Sequence, residues 1–269
     1  PASGSGTSAR SAESQTAFPA LCTAMPGACR MSGESAETLI RETVLREPDP
    51  GYPCELFDAS KAFLARYKAL CAEKGSHLIV VLSPNLTAHA LAEPGFLPYG
   101  ESLMRYCREN DIPCFNFQYA KAEYLQNLDG YYYDLYHMNG TGADLFSAFF
   151  ARFFNAYTSG EDVSGWFYAD QAQYLASIDR ITNVWLSVGE DVYIADCNRG
   201  TLVTPQYRFV SVAADGTETT LLDDGESDTI SAALVPDGET LRVYAVPKGQ
   251  ENAVSVWYDL SERSPRVES

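Results

Sequence analysis

The stretch HLIVVLSP, residues 77–84, is a short and continuous apolar run that is rich in valine and isoleucine. Such a run predicts a β-strand that is buried on both faces of a parallel sheet. The preceding stretch DASKAFLARYKALCAEKG, residues 58–75, has apolar residues at helical spacing. We expect a helix there, with Asp58 or Ser60 as its N-cap and Gly75 just past its end. A helix that leads into a buried strand is typical of α/β folds.

The same alternation continues along the chain. A second helix is predicted near GESLMRYCREN (100–110), a second strand at IPCFNF (112–117) and a third helix at about 141–157, whose phenylalanine-rich side is expected to be core. Thr141 and Asp144 resemble a capping box at the start of this third helix. Helix, strand, helix, strand and helix with short connections predict an α/β domain whose parallel sheet is covered on both faces.

The sequence divides into four parts. We expect residues 1–56 to be poorly ordered or partial, with one helix at about 34–46, and residues 57–160 to form the α/β domain. Residues 161–180 form a linker with a short bridging helix, and residues 181–262 form an all-β domain. Turn signals separate the runs of this last part, which predict an immunoglobulin-like sandwich of seven strands. These runs are TNVWLSV, DVYIADC, QYRFVSV, TETTLL, TISAAL, TLRVYAV and AVSVWYDL.

The composition excludes several classes of protein. A net charge of −17 without a basic stripe argues against nucleic acid or an anionic membrane as the main partner. The seven cysteines are an odd number at irregular spacings, so neither a disulfide framework nor a zinc site is indicated. One pair, Cys22 with Cys29 or Cys54, stays open as a disulfide. No metal and no cofactor are expected.

The chain has no apolar run of 18 or more residues, and it opens on Pro1 without a signal peptide. We expect a mature or trimmed form, or a piece whose upstream part is absent.

The candidate catalytic residues lie in the stretch YYYDLYHMNGTGADLFSAFF, residues 131–150, in which Asp134 precedes His137 by three positions. An imidazole that acts as general base presents one ring nitrogen to the nucleophile. A carboxylate on the other nitrogen fixes the tautomer and stabilises the imidazolium that forms. Two intervening residues allow a turn to bring the carboxylate back onto the ring, and the following helix holds the loop rigidly. We therefore expect Asp134 and His137 to be two members of a catalytic triad.

The arrangement LARYKALCAEKGSHLIVVLSP, SLMRYCRENDIPCFNF and YYDLYHMNGTGADLFSAFF resembles the C-terminal half of SGNH (GDSL-like) hydrolases. It is most similar to the bacterial cell-envelope group related to D-alanyl-lipoteichoic-acid transfer proteins and polysaccharide O-acetyl esterases. The last block of that group reads approximately Asp-x-x-His-hydrophobic-Asn-x-x-Gly-Ala. The residues that match it in order are Asp134, His137, Met138, Asn139, Gly142 and Ala143. The resemblance covers roughly residues 58–157 and implies a partial three-layer α/β/α domain with a Ser-His-Asp triad.

The nucleophile of that family lies in a Gly-Asp-Ser motif after the first strand, and this chain has no such motif. The nearest string is SGES, which ends at Ser35, but no apolar strand leads into it. Three alternatives stay open. Ser35 is the nucleophile, the serine lies upstream of this chain, or the serine has been lost and the protein is a pseudoenzyme. An upstream serine is the simplest of the three.

Other polar residues have two interpretations each. Asn85 in LSPN is either an oxyanion donor or a turn residue after Ser-Pro. His77 is expected to face solvent at a strand edge and His89 to lie in a loop, so neither predicts a metal site. The tyrosines around the motif could stack on a sugar ring or pack the loop. They are Tyr131, Tyr132, Tyr133 and Tyr136.

The resemblance implies a serine esterase or O-acyltransferase that acts on ester-linked acyl groups, such as acetyl, of cell-envelope or extracellular glycans. Its partners would be an acylated polysaccharide or cell-wall glycan and a membrane-bound acyl-transfer protein. Its location would be extracytoplasmic, on the surface of a bacterium or secreted. The alternative is a catalytically inactive SGNH-like scaffold or carbohydrate-binding protein of the envelope, which the missing Gly-Asp-Ser motif favours.

Overall fold

The computed structural model describes residues 53–223, 225, 227–250, 255–261 and 264–267. The helix predicted at about 34–46 lies outside these residues, as do Ser35, Cys22 and Cys29. The described residues belong to one compact unit, in which α/β elements come first and β-strands second. No helix among them is long and apolar enough to cross a membrane.

The first part of the described chain mixes helices with two short parallel strands. In chain order its elements are α1 (Asp58–Glu73), β1 (Val80–Leu82), α2 (Thr87–Ala92), α3 (Phe96–Glu109), β2 (Cys114–Asn116), α4 (Gly140–Ser159) and α5 (Gln171–Ser177). Short 3₁₀ turns occupy Phe117–Tyr119, Asp129–Tyr131 and Ser164–Trp166. β1 and β2 pair in parallel, with Val80 opposite Cys114 and Leu82 opposite Asn116. The predicted α/β order with a parallel pair of strands is confirmed, and α2 is an element that the pattern did not predict.

Strand β1 is not buried on both faces, so this prediction is wrong. Val81 is 37% exposed, and no residue of α1 is buried. On α1, Phe63, Tyr67 and Leu70 are also exposed. The sheet has only two strands in the described part of the chain, so the outer edge of β1 meets no further strand. We call Phe63, Tyr67, Leu70 and Val81 the open face.

The ends of α1 differ in part from expectation. Its N-cap is Phe57, which makes no side-chain cap, and Asp58 is the first helical residue. The carboxylate of Asp58 accepts a hydrogen bond from Lys61 Nζ at 3.1 Å instead of capping the helix. The prediction of Asp58 or Ser60 as N-cap is therefore wrong. Gly75 has φ +68°, the left-handed conformation that glycine tolerates best, and the predicted end of the helix is confirmed.

Helix α4 begins one residue earlier than predicted and with a different cap. The side-chain oxygen of Asn139, which is the N-cap, accepts a hydrogen bond from the backbone N–H of Gly142 at 3.0 Å. Thr141 already lies inside the helix, so the predicted capping box of Thr141 and Asp144 is wrong. An asparagine side chain one position before the helix reaches the free N–H groups of the first turn, and a threonine within the turn does not take that place.

The phenylalanine-rich side of α4 is core, as expected, but only in part. Phe149 and Phe153 are buried and pack against Phe117, with ring centroids 5.5 and 5.0 Å apart. Leu145, which was expected on the same side, is 43% exposed. The helix therefore packs its middle onto the residues that follow β2, and it leaves its first turns more accessible.

The second part of the described chain consists of two antiparallel sheets. Its strands are β3 (Ile181–Val188), β4 (Val192–Arg199), β5 (Pro205–Val212), β6 (Glu218–Leu222), β7 (Thr229–Ser231), β8 (Thr240–Pro247), β9 (Val256–Asp259) and β10 (Ser264–Val267). One sheet has the order β10-β9-β8-β5-β6 and the other β3-β4-β7. Val184 and Leu186 from the smaller sheet share one core with Phe209 and Leu241 from the larger. The arrangement is consistent with the predicted sandwich, and β10 is a strand that the pattern did not predict.

A charged cluster lies on the other side of the five-stranded sheet. The buried carboxylate of Asp259 accepts hydrogen bonds from the backbone N–H of Ser261 at 2.9 Å and from Arg242 at 3.0 Å. Arg242 also pairs with Glu218. Burial raises the pKa of Asp259, but the hydrogen bonds from Ser261 and Arg242 outweigh burial and hold that pKa below its usual range.

The predicted bridging helix is present as α5, and it is fastened to the α/β part. The hydroxyl of Tyr174 is buried and accepts a hydrogen bond from the side-chain amide of Gln118 at 2.6 Å. Asp170 caps the helix by accepting from the backbone N–H of Gln173 at 2.8 Å. Just after α5, Arg180 pairs with Asp129 at 2.9 Å, which ties the start of the β part to the loop that precedes Asp134.

Candidate functional site

The loop between residues 131 and 139 is a tight hairpin that leads into α4. The backbone N–H of Tyr133 donates to the carbonyl of His137 at 2.8 Å, and Asn139 N–H donates to the carbonyl of Tyr131 at 2.9 Å. Tyr132 and Met138 form an isolated antiparallel bridge between these two bonds. The turn at the tip therefore holds its residues in fixed positions.

The turn places the carboxylate of Asp134 against the imidazole of His137. Nδ1 of His137 lies 2.8 Å from Oδ2 and 2.9 Å from Oδ1 of Asp134. The same Oδ1 accepts hydrogen bonds from the backbone N–H groups of Tyr136 at 2.8 Å and His137 at 2.7 Å. These bonds fix the carboxylate, and the carboxylate fixes the ring. The structure thus brings the two predicted residues together.

The other ring nitrogen of His137 is open. The His137 side chain is 74% exposed, whereas that of Asp134 is 33% exposed. Within the described part of the chain no residue hydrogen-bonds Nε2. With Nδ1–H donating to the carboxylate, Nε2 carries the lone pair and can accept a proton. The pair has the geometry of a general base with its orienting carboxylate.

Asn139 and Gly142 position the loop on α4. Besides capping the helix, Asn139 donates from its side-chain amide to the carbonyl of Gly130 at 2.7 Å. A Cβ on Gly142 would lie 2.2 Å from the carbonyl oxygen of Tyr131, far inside ordinary contact. The close approach of helix and loop therefore requires glycine at position 142.

Asn85 is linked to this loop through its backbone. Its N–H donates to the side chain of Gln118 at 2.7 Å, and its carbonyl accepts from the side-chain amide of Asn127 at 3.0 Å. Asn127 in turn accepts from the hydroxyl of Tyr132 at 2.6 Å. Asn85 also lines a pocket of about 260 Å³ with Ser83, next to the carboxyl end of β1. Its backbone bonds fit the turn interpretation, and Asn85 is one of the residues that line this pocket.

The tyrosines of the motif divide by burial. Tyr132 is 1% exposed and packs the loop, whereas Tyr136 is 46% exposed. The ring of Tyr136 contacts the ring of His89 at 4.9 Å, and His89 also contacts Phe96 at 5.5 Å. His89 is buried in α2, so its prediction as a loop residue is wrong. His77 is exposed just before β1, as expected.

Among the described residues, no group of three or more His, Cys, Asp or Glu side chains could hold a metal ion. The thiols of Cys107, Cys114 and Cys197 have raised pKa values because burial disfavours the thiolate. A nucleophilic cysteine needs the opposite shift. The predicted serine candidate Ser35 lies outside the described residues.

Three residues of the site region were missed by reasoning from the sequence: Gln118, Asn127 and Tyr174. Together they connect the end of β1, the hairpin and α5 through buried and partly buried hydrogen bonds. Gln118 bonds partners 33 and 56 positions away in the chain, and local patterns carry no signal for such pairs.

No match to this chain was found among protein-family models, curated proteins or solved structures.

Proposed function

We propose that this chain is part of an SGNH-type serine esterase or O-acyltransferase that acts on ester-linked acyl groups, such as acetyl, of cell-envelope or extracellular glycans. The observation that carries the proposal is the pair of Asp134 and His137, with Nδ1 held at 2.8 Å from the carboxylate and Nε2 open. The order Asp-x-x-His followed by Asn139 and Gly142 supports it, because each of these residues has a defined role in holding the loop.

The proposed reaction follows from this geometry. A serine hydroxyl attacks the acyl carbonyl while Nε2 of His137 takes its proton, and the imidazolium that forms is stabilised by Asp134. His137 returns the proton to the leaving sugar oxygen, which leaves an acyl-serine. Water or a sugar hydroxyl then removes the acyl group by the reverse steps. Asn85, at the pocket beside the end of β1, is the proposed side-chain donor to the oxyanion.

We infer that the serine is supplied by polypeptide outside this chain. The open face supports this placement. Parallel sheets are normally covered on both faces and extend over more than two strands, whereas Val81 and Phe63 are 37% and 64% exposed. A further parallel strand at the outer edge of β1 would end at the same edge of the sheet as Ser83 and Asn85. The second alternative is that Ser35 is the nucleophile. The third is that the protein has lost the catalytic serine.

The two antiparallel sheets are proposed to be an immunoglobulin-like module that acts as a spacer or faces the glycan. The proposed location is extracytoplasmic, in a bacterium, with an acylated polysaccharide or cell-wall glycan and a membrane-bound acyl-transfer protein as partners. The net charge of −17 agrees with a partner other than nucleic acid.

The test uses the product of the longest reading frame that contains this chain, labelled with a fluorophosphonate probe. We expect labelling of one serine, loss of labelling in His137→Ala, and full labelling in His77→Ala. His77 is a matched control, because it is an exposed histidine outside the hairpin. A folded, complete protein that takes no label would refute the hydrolase.

The second candidate function is a catalytically inactive SGNH-like scaffold or carbohydrate-binding protein of the envelope. One observation favours it: within the described part of the chain no serine, threonine or cysteine hydrogen-bonds His137. Equal binding of an acylated polysaccharide by wild type and His137→Ala, without labelling of either, would establish this alternative. A complete reading frame that encodes a Gly-Asp-Ser motif after an apolar strand would count against it.

A further inference from the structure

A groove of about 370 Å³ runs along α4 opposite the segment 122–126. We call it the α4 groove. Leu145, Ala148, Phe149 and Arg152 line it from the helix, and their spacing of three and four places them on one helical face. Of these four residues, Leu145 is 43% exposed, whereas Phe149 is buried and belongs to the core.

Arg152 is held in place by three aromatic rings. Its guanidinium carbon lies 5.3 Å from the ring centroid of Trp166, 5.5 Å from Phe149 and 5.9 Å from Tyr124. Tyr124 and Trp166 stack on each other at 5.0 Å and nearly parallel, at 8°. Contacts of this kind orient a planar guanidinium and lower the entropy that it loses when a ligand binds.

The charge of Arg152 is not neutralised by an ion pair among the described residues. One of its N–H groups donates to the carbonyl of Tyr124 at 3.2 Å. A guanidinium has five N–H donors, so others remain for a ligand, and their fork matches a carboxylate or phosphate. Glu123 also lines the groove and is exposed. Its negative charge lowers the affinity of the groove for an anion, but Glu123 does not pair with Arg152.

We propose that the α4 groove binds an anionic sugar residue, with Arg152 on its carboxylate or phosphate and the aromatic side chains against its ring. A cation alone would accept any anion, but Tyr124, Tyr131 and Leu145 add apolar surface suited to one face of a sugar. The role of the α4 groove in catalysis rests on the proposed function, because the groove would then be a subsite for an acidic glycan substrate.

The groove and the hairpin share Tyr131. Tyr131 is one of the residues that line the groove, and its backbone carbonyl accepts a hydrogen bond from the N–H of Asn139 in the hairpin. Tyr133, two residues later, is bonded to His137 at 2.8 Å. Arg152 lies 12 positions after Gly140, the first residue of α4, which is about 18 Å along the helix axis. The proposed subsite therefore suits a sugar of the same glycan that is a few residues away from the one that carries the acyl group.

Calorimetric titration of this chain with trigalacturonate, glucose 6-phosphate and neutral maltotriose tests the proposal. We expect saturable binding of an acidic probe, weaker binding of maltotriose, and a decrease in affinity as salt is raised. Arg152→Gln should weaken binding of the acidic probe roughly ten- to hundredfold, because hydrogen bonds to a charged group are lost. Glu123→Gln should strengthen it. Arg66→Gln, at an exposed position on α1, is the matched control and should leave it unchanged.

Binding of glucose 6-phosphate but not trigalacturonate would assign the anion as phosphate, and the reverse result would assign it as carboxylate. The proposal is overturned if neither acidic probe binds, or if folded Arg152→Gln binds them as tightly as wild type does. His137→Ala should bind the probes normally. A failure of the subsite is therefore separate from a failure of the hydrolase, which is read from fluorophosphonate labelling alone.

Discussion

Replacement of Gly142 by alanine tests how the hairpin is held on α4. A Cβ at this position would lie 2.2 Å from the carbonyl oxygen of Tyr131 and 2.8 Å from its Cβ. Ordinary contact begins at 3.4 Å, and two of the three nearest atoms are backbone, so a rotamer change cannot relieve the clash. The helix and the hairpin must move apart.

The magnitude follows from three contributions. Overpacking of this kind costs about 1–3 kcal/mol. The movement also breaks the hydrogen bond of 2.9 Å from Asn139 N–H to the Tyr131 carbonyl, which costs about 1 kcal/mol. Alanine is the better helix former by about 1 kcal/mol, which offsets part of this loss. We expect Gly142→Ala to lower the free energy of unfolding by about 1–3 kcal/mol.

Urea unfolding followed by circular dichroism measures this change. The slope of the unfolding free energy against urea concentration should be the same as for wild type. Gly130→Ala is the matched control, because a Cβ on Gly130 would meet no atom within 4 Å. Its stability should stay within about 0.5 kcal/mol of wild type. In Gly142→Ala the NMR signals of the His137 ring should also shift. Equal unfolding midpoints for the two variants would refute the account of the hairpin.

Three further predictions concern the carboxylate of Asp134, the hydroxyl of Tyr132 and the pH-dependent contribution of Asp259 to stability. Asp134→Asn in the complete protein should lower the esterase rate by about 10⁴, because an amide does not hold the required imidazole tautomer. Tyr132→Phe should lower the free energy of unfolding by about 1–2 kcal/mol, since the hydrogen bond of 2.6 Å from the hydroxyl of this buried tyrosine to Asn127 is lost, whereas Tyr67→Phe on the open face should have almost no effect. Asp259→Asn should be less stable than wild type by about 1–3 kcal/mol at neutral pH. Because the folded pKa of Asp259 is lowered, its contribution is complete above the unfolded value of about 3.9 and is lost as the pH falls through the folded pKa.

Each of these three predictions would be contradicted by a particular result. An Asp134→Asn enzyme with wild-type rate would remove Asp134 from the mechanism. Equal stability of the two tyrosine variants would show that the hydroxyl of Tyr132 contributes nothing. A stability gap for Asp259→Asn that stays constant between pH 7 and about pH 2 would contradict the lowered pKa of Asp259.

The parts of the structure that depend on local patterns could be predicted from the sequence. The strand at Val80–Leu82 and the helices α1, α3 and α4 follow from periodicity, and so do seven strands of the β part. The contact between Asp134 and His137 was also predictable, because a turn with two intervening residues brings the two side chains together without help from the rest of the fold.

The remainder depends on residues that are distant in sequence. Burial of a strand requires neighbours on both sides, so the apolar run at β1 alone could not reveal that Val81 is 37% exposed. The bonds from Gln118 to Asn85 and Tyr174 join separate elements, and no spacing rule links them. The sequence did not indicate Asn139 as the helix cap, because Thr141 and Asp144 form a pattern of similar type two residues later.

The open face has a consequence for the behaviour of the chain in solution. Among the described residues the outer edge of β1 pairs with no strand, and Phe63, which lines a pocket with Val80, is exposed. Copies of the chain can associate edge to edge on such a surface. A charge of −17 keeps such copies apart by repulsion at neutral pH and low salt. That repulsion disappears near the isoelectric point of about 4.5 and is screened by salt. Light scattering should therefore show reversible association as pH approaches 4.5, and Phe63→Lys should suppress it.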